Sequence, residues 1–186
     1  MESNSPMVQE KMPVALSSEG IPEVYSGSAT AQEQIQFITF TIGKQEYGVD
    51  IMSVREIKGW VETTLLPNTP EYMRGVLNLR GVIVPIFDLR CRFGQGQTDA
   101  TKMHVIVIIA VKSRMVGILV DTVSDILTVP LNDIRAVPRM ERLIDEEYLS
   151  GLVTINERMV ALLNEERLFD TQLIEDGVTA GRALEA

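Results

Sequence analysis

The chain has 186 residues, 45% of them hydrophobic and 23% charged, with a formal net charge of −9. That acidity argues against a nucleic-acid surface and against a polybasic membrane contact, both of which need clustered Lys and Arg. A lone cysteine, Cys91, excludes an internal disulfide and fits a reducing cytosol; the longest apolar run, Val105 to Val111, falls far short of the roughly 20 residues of a membrane span.

Residues 1–33 mix Ser, Glu, Gln, Gly, Ala and Pro without periodicity, and Pro6, Pro13 and Pro22 interrupt any helix, so they read as a disordered leader with no apolar signal-peptide core. Gln36 to Ile42 is β-branched and aromatic, and Gly43 to Glu46 predicts a hairpin turn before Tyr47-Gly48-Val49. A short helix is expected at Pro70 to Arg74. Gly75 to Leu89, GVLNLRGVIVPIFDL, reads as two apolar strands hinged at Arg80-Gly81, with a short helix after Asp88. Val105 to Val111 and Arg114 to Val120 flank Lys112-Ser113 as a further hairpin, and Ser124 to Val129 is a strand stopped by Pro130. Short helices are expected at Asp145 to Leu149 and at Glu165 to Gln172, the latter capped by Asn164 with Glu165 and Glu166 in its first turn. Residues 34–172 make one folded domain, and 173–186 form a tail.

Two blocks of this pattern recur. Gly75-Val76-Leu77-Asn78-Leu79-Arg80 aligns with Gly151-Leu152-Val153-Thr154-Ile155-Asn156, and the same offset of 76 positions pairs Val84 with Val160 and Phe93 with Phe169. An offset of 69 pairs Ile38, Phe40 and Ile42 with Val107, Ile109 and Val111, Gly48 with Gly117, and Val54 and Ile57 with Val123 and Ile126. Duplication of a β unit of about 70 residues follows, and with it two small closed barrels, because closure removes the exposed edges of short antiparallel sheets.

Catalytic constellations are sparse. His104 is the only histidine, no phosphate loop or metal-ligand spacing occurs, and Cys91 in its basic setting of Arg90 and Arg92 is more simply a semi-buried apolar residue than a nucleophile paired with His104. Asp50, Asp88, Asp121 and Asp125 sit at strand ends, where capping and turn roles are the default. Arg80 is either a solvated turn residue beside a positive-φ Gly81 or the partner of a carboxylate, with Glu56 the best candidate. A partly buried pair would be worth about 3–5 kcal/mol on loss of one partner, an exposed one about 0–1 kcal/mol. Val54/Ile57 and Val123/Ile126 are either ordinary core or the lining of an apolar groove at a pseudo-two-fold seam, the kind of groove that accepts an amphipathic helix.

Four motifs, Tyr47 to Gly59 (YGVDIMSVREIKG), Leu66 to Arg90 (LPNTPEYMRGVLNLRGVIVPIFDLR), Val116 to Leu127 (VGILVDTVSDIL) and Tyr148 to Leu168 (YLSGLVTINERMVALLNEERL), resemble the CheW family of bacterial chemotaxis adaptors over about residues 35 to 172. The resemblance implies an all-β fold with few short helices, in which two five-stranded SH3-like barrels pack pseudo-symmetrically. It implies a non-enzymatic scaffold without cofactor or metal, cytoplasmic and recruited to membrane-bound receptor arrays. Its partners would be the regulatory domain of the histidine kinase CheA and the cytoplasmic tips of methyl-accepting chemoreceptors. By position, Val54, Ile57, Leu79, Arg80, Val123 and Ile126 would line the receptor groove, and Glu56 with Arg80 would form a structural ion pair. Thr63, Thr64, Leu65 and Leu66 on one face, with Arg135 and Met140 on another, would serve kinase-like partners. Departures are the long leader, the missing glycine at Asn156-Glu157, and Lys58 where an arginine is common. Competing readings are a regulatory domain of a larger signalling enzyme and a small enzyme built on Cys91 and His104.

Overall fold

The alternating apolar segments become ten strands in a computed structural model that describes residues 33–138 and 146–169. They are β1 (Gln34–Ile42), β2 (Gln45–Asp50), β3 (Val54–Gly59), β4 (Met73–Leu79), β5 (Val82–Asp88), β6 (Val105–Val111), β7 (Arg114–Val120), β8 (Thr122–Pro130), β9 (Leu149–Ile155) and β10 (Arg158–Leu163). One-turn helices α1 (Leu89–Arg92) and α2 (Glu165–Leu168) follow β5 and β10. The strands form two five-stranded sheets, β8-β1-β2-β10-β9 and β3-β6-β7-β5-β4. Each closes through the continuation of its first strand: Thr64, beyond β3, bridges to Val76 on β4, and Arg135, beyond β8, bridges to Leu152 on β9. The expected two small barrels result, barrel 1 from the first sheet and barrel 2 from the second.

Neither barrel is one copy of the repeat. Barrel 1 joins β1 and β2 of the first copy to β8, β9 and β10 of the second, and barrel 2 joins β3, β4 and β5 of the first to β6 and β7 of the second. The two halves exchange strands, and equivalent strands occupy equivalent places. The copies meet antiparallel at β1–β8 and β3–β6, and in the only parallel pairings among the described residues elsewhere: Leu162 on β10 opposite Gly48 on β2, and Ile86 on β5 opposite Gly117 on β7. A Cβ on Gly48 would lie 3.0 Å from Leu162 Cδ2, and one on Gly117 would lie 2.3 Å from Ile86 Cδ1. Glycine recurs at these two positions because a large side chain of the exchanged strand crosses directly over it. At the closing bridges the same rule holds. A Cβ on Gly75, whose φ is +111°, would meet the Thr64 carbonyl oxygen at 2.2 Å, and one on Gly151 would lie 2.5 Å from Ile134 Cγ2.

Side-chain alternation sorts the apolar residues into three cores. Leu77, Val84, Ile86, Ile106, Ile108 and Leu119 fill barrel 2, and Phe37, Val129, Val153, Val160 and Leu162 fill barrel 1. The largest core lies between the barrels, where the opposite faces of β1, β2, β6 and β7 supply Ile38, Phe40, Tyr47, Val107, Ile109 and Ile118 among others. The central strands are thus buried on both faces, which is why Val105–Val111 reads as a continuous apolar run. Tyr47 stacks between Phe40 (centroids 6.2 Å apart) and Phe93 (5.1 Å) in this core. Burial pushes its phenol pKa up, with a hydrogen bond to Gln95 opposing the rise.

The helix caps obey the repeat as well. Asp88 Oδ1 accepts from Cys91 N at 3.1 Å, and Asn164 Oδ1 accepts from Arg167 N at 3.2 Å. Elsewhere the local expectations shift. Pro70 to Arg74 is a turn running into β4, because Met73 N bonds Pro70 O and the chain is then recruited to the sheet. The β1–β2 turn shrinks to Gly43-Lys44. In the 145–149 segment a 3-10 turn covers Glu146–Tyr148 and Leu149 already belongs to β9; Asp145 lies outside the described residues, as do the leader, the tail and Met140. The turn lacking glycine keeps the geometry of its counterpart, with φ +48° at Asn156 and +65° at Glu157 against +53° at Arg80 and +87° at Gly81.

Two outcomes follow from these packing arguments. Gly117→Ala should destabilise the protein by about 1–3 kcal/mol through overpacking. Ile86→Val, which alone costs about 0.5–1.5 kcal/mol, removes the clashing Cδ1. Urea unfolding should therefore find the double variant more stable than Gly117→Ala, and simple additivity would refute the crossing as the cause. Tyr47, raised above its ordinary 10.0, favours the neutral phenol in the folded state. Its contribution is present below pH 10 and declines as the pH rises through the folded value, since the unfolded chain ionises first. Urea midpoints at pH 8 and 10.5 should therefore fall less for Tyr47→Phe than for the parent chain.

Candidate functional site

A spacing of three residues ordinarily puts two side chains on opposite faces of a strand. In β3 a bulge cancels this, because the ladder pairs Val54 with Ile109 and Ile57 with Val107, so that Val54 and Ile57 share a face. The same happens in β8, where Val123 pairs with Phe40 and Ile126 with Ile38. The backbone disturbed by that second bulge is satisfied by Thr39, whose hydroxyl donates to Asp125 O at 3.1 Å and accepts from Asp125 N at 3.2 Å. All four ladder partners belong to the core between the barrels. Val54 and Val123 are half-buried against that core, whereas Ile57 and Ile126 carry it to the surface at 43% and 52% exposure. The two edge strands therefore present the margin of the shared core as apolar strips.

Arg80 extends a charge beside one of these strips. Its Nη2 lies 3.4 Å from Glu56 Oε2, with side-chain exposures of 88% and 35%. The turn beneath is held by Gly81 N donating to Asn78 Oδ1 at 2.8 Å. An ion pair this open belongs to the weaker of the two energetic readings, about 0–1 kcal/mol. The equivalent positions in barrel 1 are Asp125 and Asn156, so this pairing of opposite charges is confined to barrel 2. Leu79 does not join the strip: with Leu77 two residues before it, alternation turns it onto the interior of barrel 2.

The remaining site residues gather at the closing segments. Thr64 exchanges backbone hydrogen bonds with Val76 (3.0 and 2.8 Å), as Arg135 does with Leu152 (both 2.8 Å), so the two segments are counterparts on different barrels. Thr63 Oγ1 donates to Arg74 O, and Leu65 is exposed. Leu66 is buried in the shared core and offers no side chain to a partner. Beside each segment lies a cavity, of about 410 Å³ lined by Trp60, Thr63, Leu65 and Arg74 in barrel 2, and about 540 Å³ lined by Ile35, Leu131, Ile134 and Ser150 in barrel 1. Trp60 and Leu131 were not singled out from the sequence, although the only tryptophan of a chain is a natural candidate for an interface.

Behind Trp60 lies a buried carboxylate. Asp88 accepts from Thr98 N (2.7 Å) and Thr98 Oγ1 (2.8 Å) besides capping α1, and Arg74 Nη1 stands 3.6 Å away. These partners make Asp88 structural. Cys91 is held away from a thiolate: burial raises its pKa first, then Asp88 and Glu71, with Arg74 opposing. His104 turns elsewhere, its Nδ1 accepting from Thr101 N at 3.0 Å and its Nε2 3.8 Å from Asp121, which is itself bound by Arg90 Nη2 at 2.6 Å. Among the described residues no group of three or more His, Cys, Asp or Glu side chains is placed to hold a metal ion. No helix among them is long and apolar enough to cross a membrane.

Comparison with known proteins matches residues 36–173 to the CheW-like domain family. The chain is 43% identical over 145 residues to the probable chemotaxis protein CheW of Rhizobium etli, covering 78% of this chain and 94% of that protein. It is 42% identical over 147 residues to the chemotaxis protein CheW of Klebsiella aerogenes, covering 79% and 87% respectively. Among solved structures it is similar to the scaffolding protein TtCheW of Thermoanaerobacter tengcongensis, with a TM-score of 0.69 and 30% identity over 75% of this chain and 90% of that one.

If the contact between Glu56 and Arg80 is the whole of their interaction, reversing either charge lowers stability by at most about 1 kcal/mol. The exchanged pair Glu56→Arg with Arg80→Glu should return to the parental urea midpoint. A loss several times larger, unrecovered by the exchange, would show that one of the two is bound by something else.

Proposed function

The chain belongs to the CheW family of chemotaxis scaffold proteins, and we propose that it couples the histidine kinase CheA to methyl-accepting chemoreceptors and helps to build their signalling array. The observation that carries this reading is the placement of Val54, Ile57, Val123 and Ile126 by paired bulges on the margin of the shared core. An apolar strip on a rigid double barrel suits the helical hairpin tip of a receptor, which would cover Ile57 and Ile126 and leave Arg80 and Glu56 at its rim. Covering each half-exposed isoleucine contributes about 1 kcal/mol, and little ordering cost offsets it because both side chains stand on strands.

The kinase's regulatory domain, which is CheW-like, would meet the barrel ends. The exposed Leu65 beside Trp60, and Leu131 beside Arg135, supply an apolar centre there, with Thr63 and Thr64 around the first. Work of this kind needs no bond to be made or broken in this chain, which agrees with a raised Cys91 thiol and a His104 whose Nδ1 is taken up by Thr101 N. The protein would operate in the cytoplasm, drawn to membrane-bound arrays by its partners. Signal would pass as small displacements between proteins held on one scaffold.

Pull-down of a receptor cytoplasmic fragment and of the kinase regulatory domain tests the assignment. Ile57→Glu and Ile126→Glu should each weaken the receptor by tenfold or more and leave the kinase domain within twofold. Arg80→Ala should also act on the receptor alone. Binding of neither partner by the parent chain, or equal losses for both, would overturn the proposal.

A further inference from the structure

Arg92 ends α1, and its guanidinium carbon stands 4.3 Å over the ring of Tyr72 and 4.8 Å over the ring of Tyr148. The two tyrosines are equivalent residues of the two repeats, at the offset of 76 positions that relates β4 to β9. Their backbones confirm the equivalence: Tyr72 O accepts from Asp88 N at 2.7 Å, and Tyr148 O accepts from Asn164 N at 2.8 Å. One arginine is thus stacked between the symmetry-related tyrosines of both halves. The residue that repeats Arg92 is Leu168, buried in the shared core, so the stack occurs once and cannot be explained by the duplication.

Each tyrosine leads directly to one barrel end. Tyr72 is flanked by Glu71, Met73 and Arg74, which line the cavity of barrel 2, while Tyr148 precedes Ser150 and holds Asn164, which line the cavity of barrel 1. A cation held over two ring faces at once resists sliding in either direction, since moving toward one ring takes it from the other. Arg92 Nε is buried without a hydrogen-bond partner among the described residues.

We propose that Arg92 is a positioning residue: stacked between Tyr72 and Tyr148, it fixes the two barrel ends relative to one another. This rests on the adaptor reading only for its consequence, that a partner seated at one end meets an already oriented partner at the other. The test uses the free full-length protein, so its failure leaves the adaptor reading untouched. With Cys91→Ser as reference, spin labels at Lys44→Cys and Ser113→Cys mark exposed turns of barrel 1 and barrel 2. The reference should give one narrow distance distribution. Arg92→Lys, which keeps the charge and loses the plane, and Arg92→Met should each broaden or shift it. In thermal unfolding, Tyr72→Leu and Tyr148→Leu should be non-additive in the reference and additive in the Arg92→Met background. Should Arg92→Met fail to fold, Arg92→Lys decides on distance alone. A lowered melting midpoint with superimposable distance distributions would assign Arg92 a purely packing role and overturn the proposal.

Discussion

The architecture depends on two crossings, Leu162 over Gly48 and Ile86 over Gly117. Each brings a strand of one repeat beside a strand of the other in parallel, a pairing that no hairpin can make. Parallel neighbours need a long connection: between β2 and β10 it runs through all of barrel 2 and then β8 and β9, and between β5 and β7 it runs through α1 and β6. With β2 and β10 joined in this way, β1 can pack one face into barrel 1 and the other into the shared core. The margin of that core then surfaces at β3 and β8, where the apolar strips lie. A side chain at Gly48 would press on Leu162, Phe37 and Val160 of the barrel 1 core, and one at Gly117 on Ile86, Ile106 and Ile108 of the barrel 2 core.

Much of this was legible before any coordinates, and the reasons are local. The strands β6 and β7 were read to the residue because their hairpin has a two-residue turn and both faces are apolar. Asp88 and Asn164 marked helix starts because a capping side chain is a local device. The repeat was visible because glycines that serve crossings recur with it. What the sequence could not show was the partner of each strand. Apolar patterning sets which face is buried and says nothing about which copy supplies the neighbour, so the exchange was hidden. Pro70 to Arg74 failed for a related reason: its helix-like start gives way to tertiary pairing of β4 with β5.

The candidate site shows the same division. The sequence leaves Val54 and Ile57, and Val123 and Ile126, between ordinary core and a groove lining, because only the bulges put each pair on one face. Leu79 is set by strand alternation, which the sequence does display and which packs it on the barrel 2 core. Leu66 is core although Leu65 beside it is exposed, since the closing segment turns one of its two leucines inward.

Symmetry makes the departures from it informative. Where equivalent positions keep the same kind of residue, as with Gly48 and Gly117 or Asp88 and Asn164, folding alone explains them. Where they differ, the fold has not required the difference. Glu56 and Arg80 face Asp125 and Asn156 across the pseudo-two-fold, Arg74 faces Ser150, Trp60 faces Val129, and Arg92 faces Leu168. These replacements collect at the apolar strip of β3, at the two barrel ends and at the tyrosine stack. They make the ends chemically unlike, one built on a tryptophan above a buried arginine–aspartate contact and the other on aliphatic side chains and a serine. A scaffold meant to hold one partner twice would have no use for unlike ends. A scaffold that must orient different partners needs them, and it also needs a fixed angle between them, which is the role the geometry leaves for Arg92.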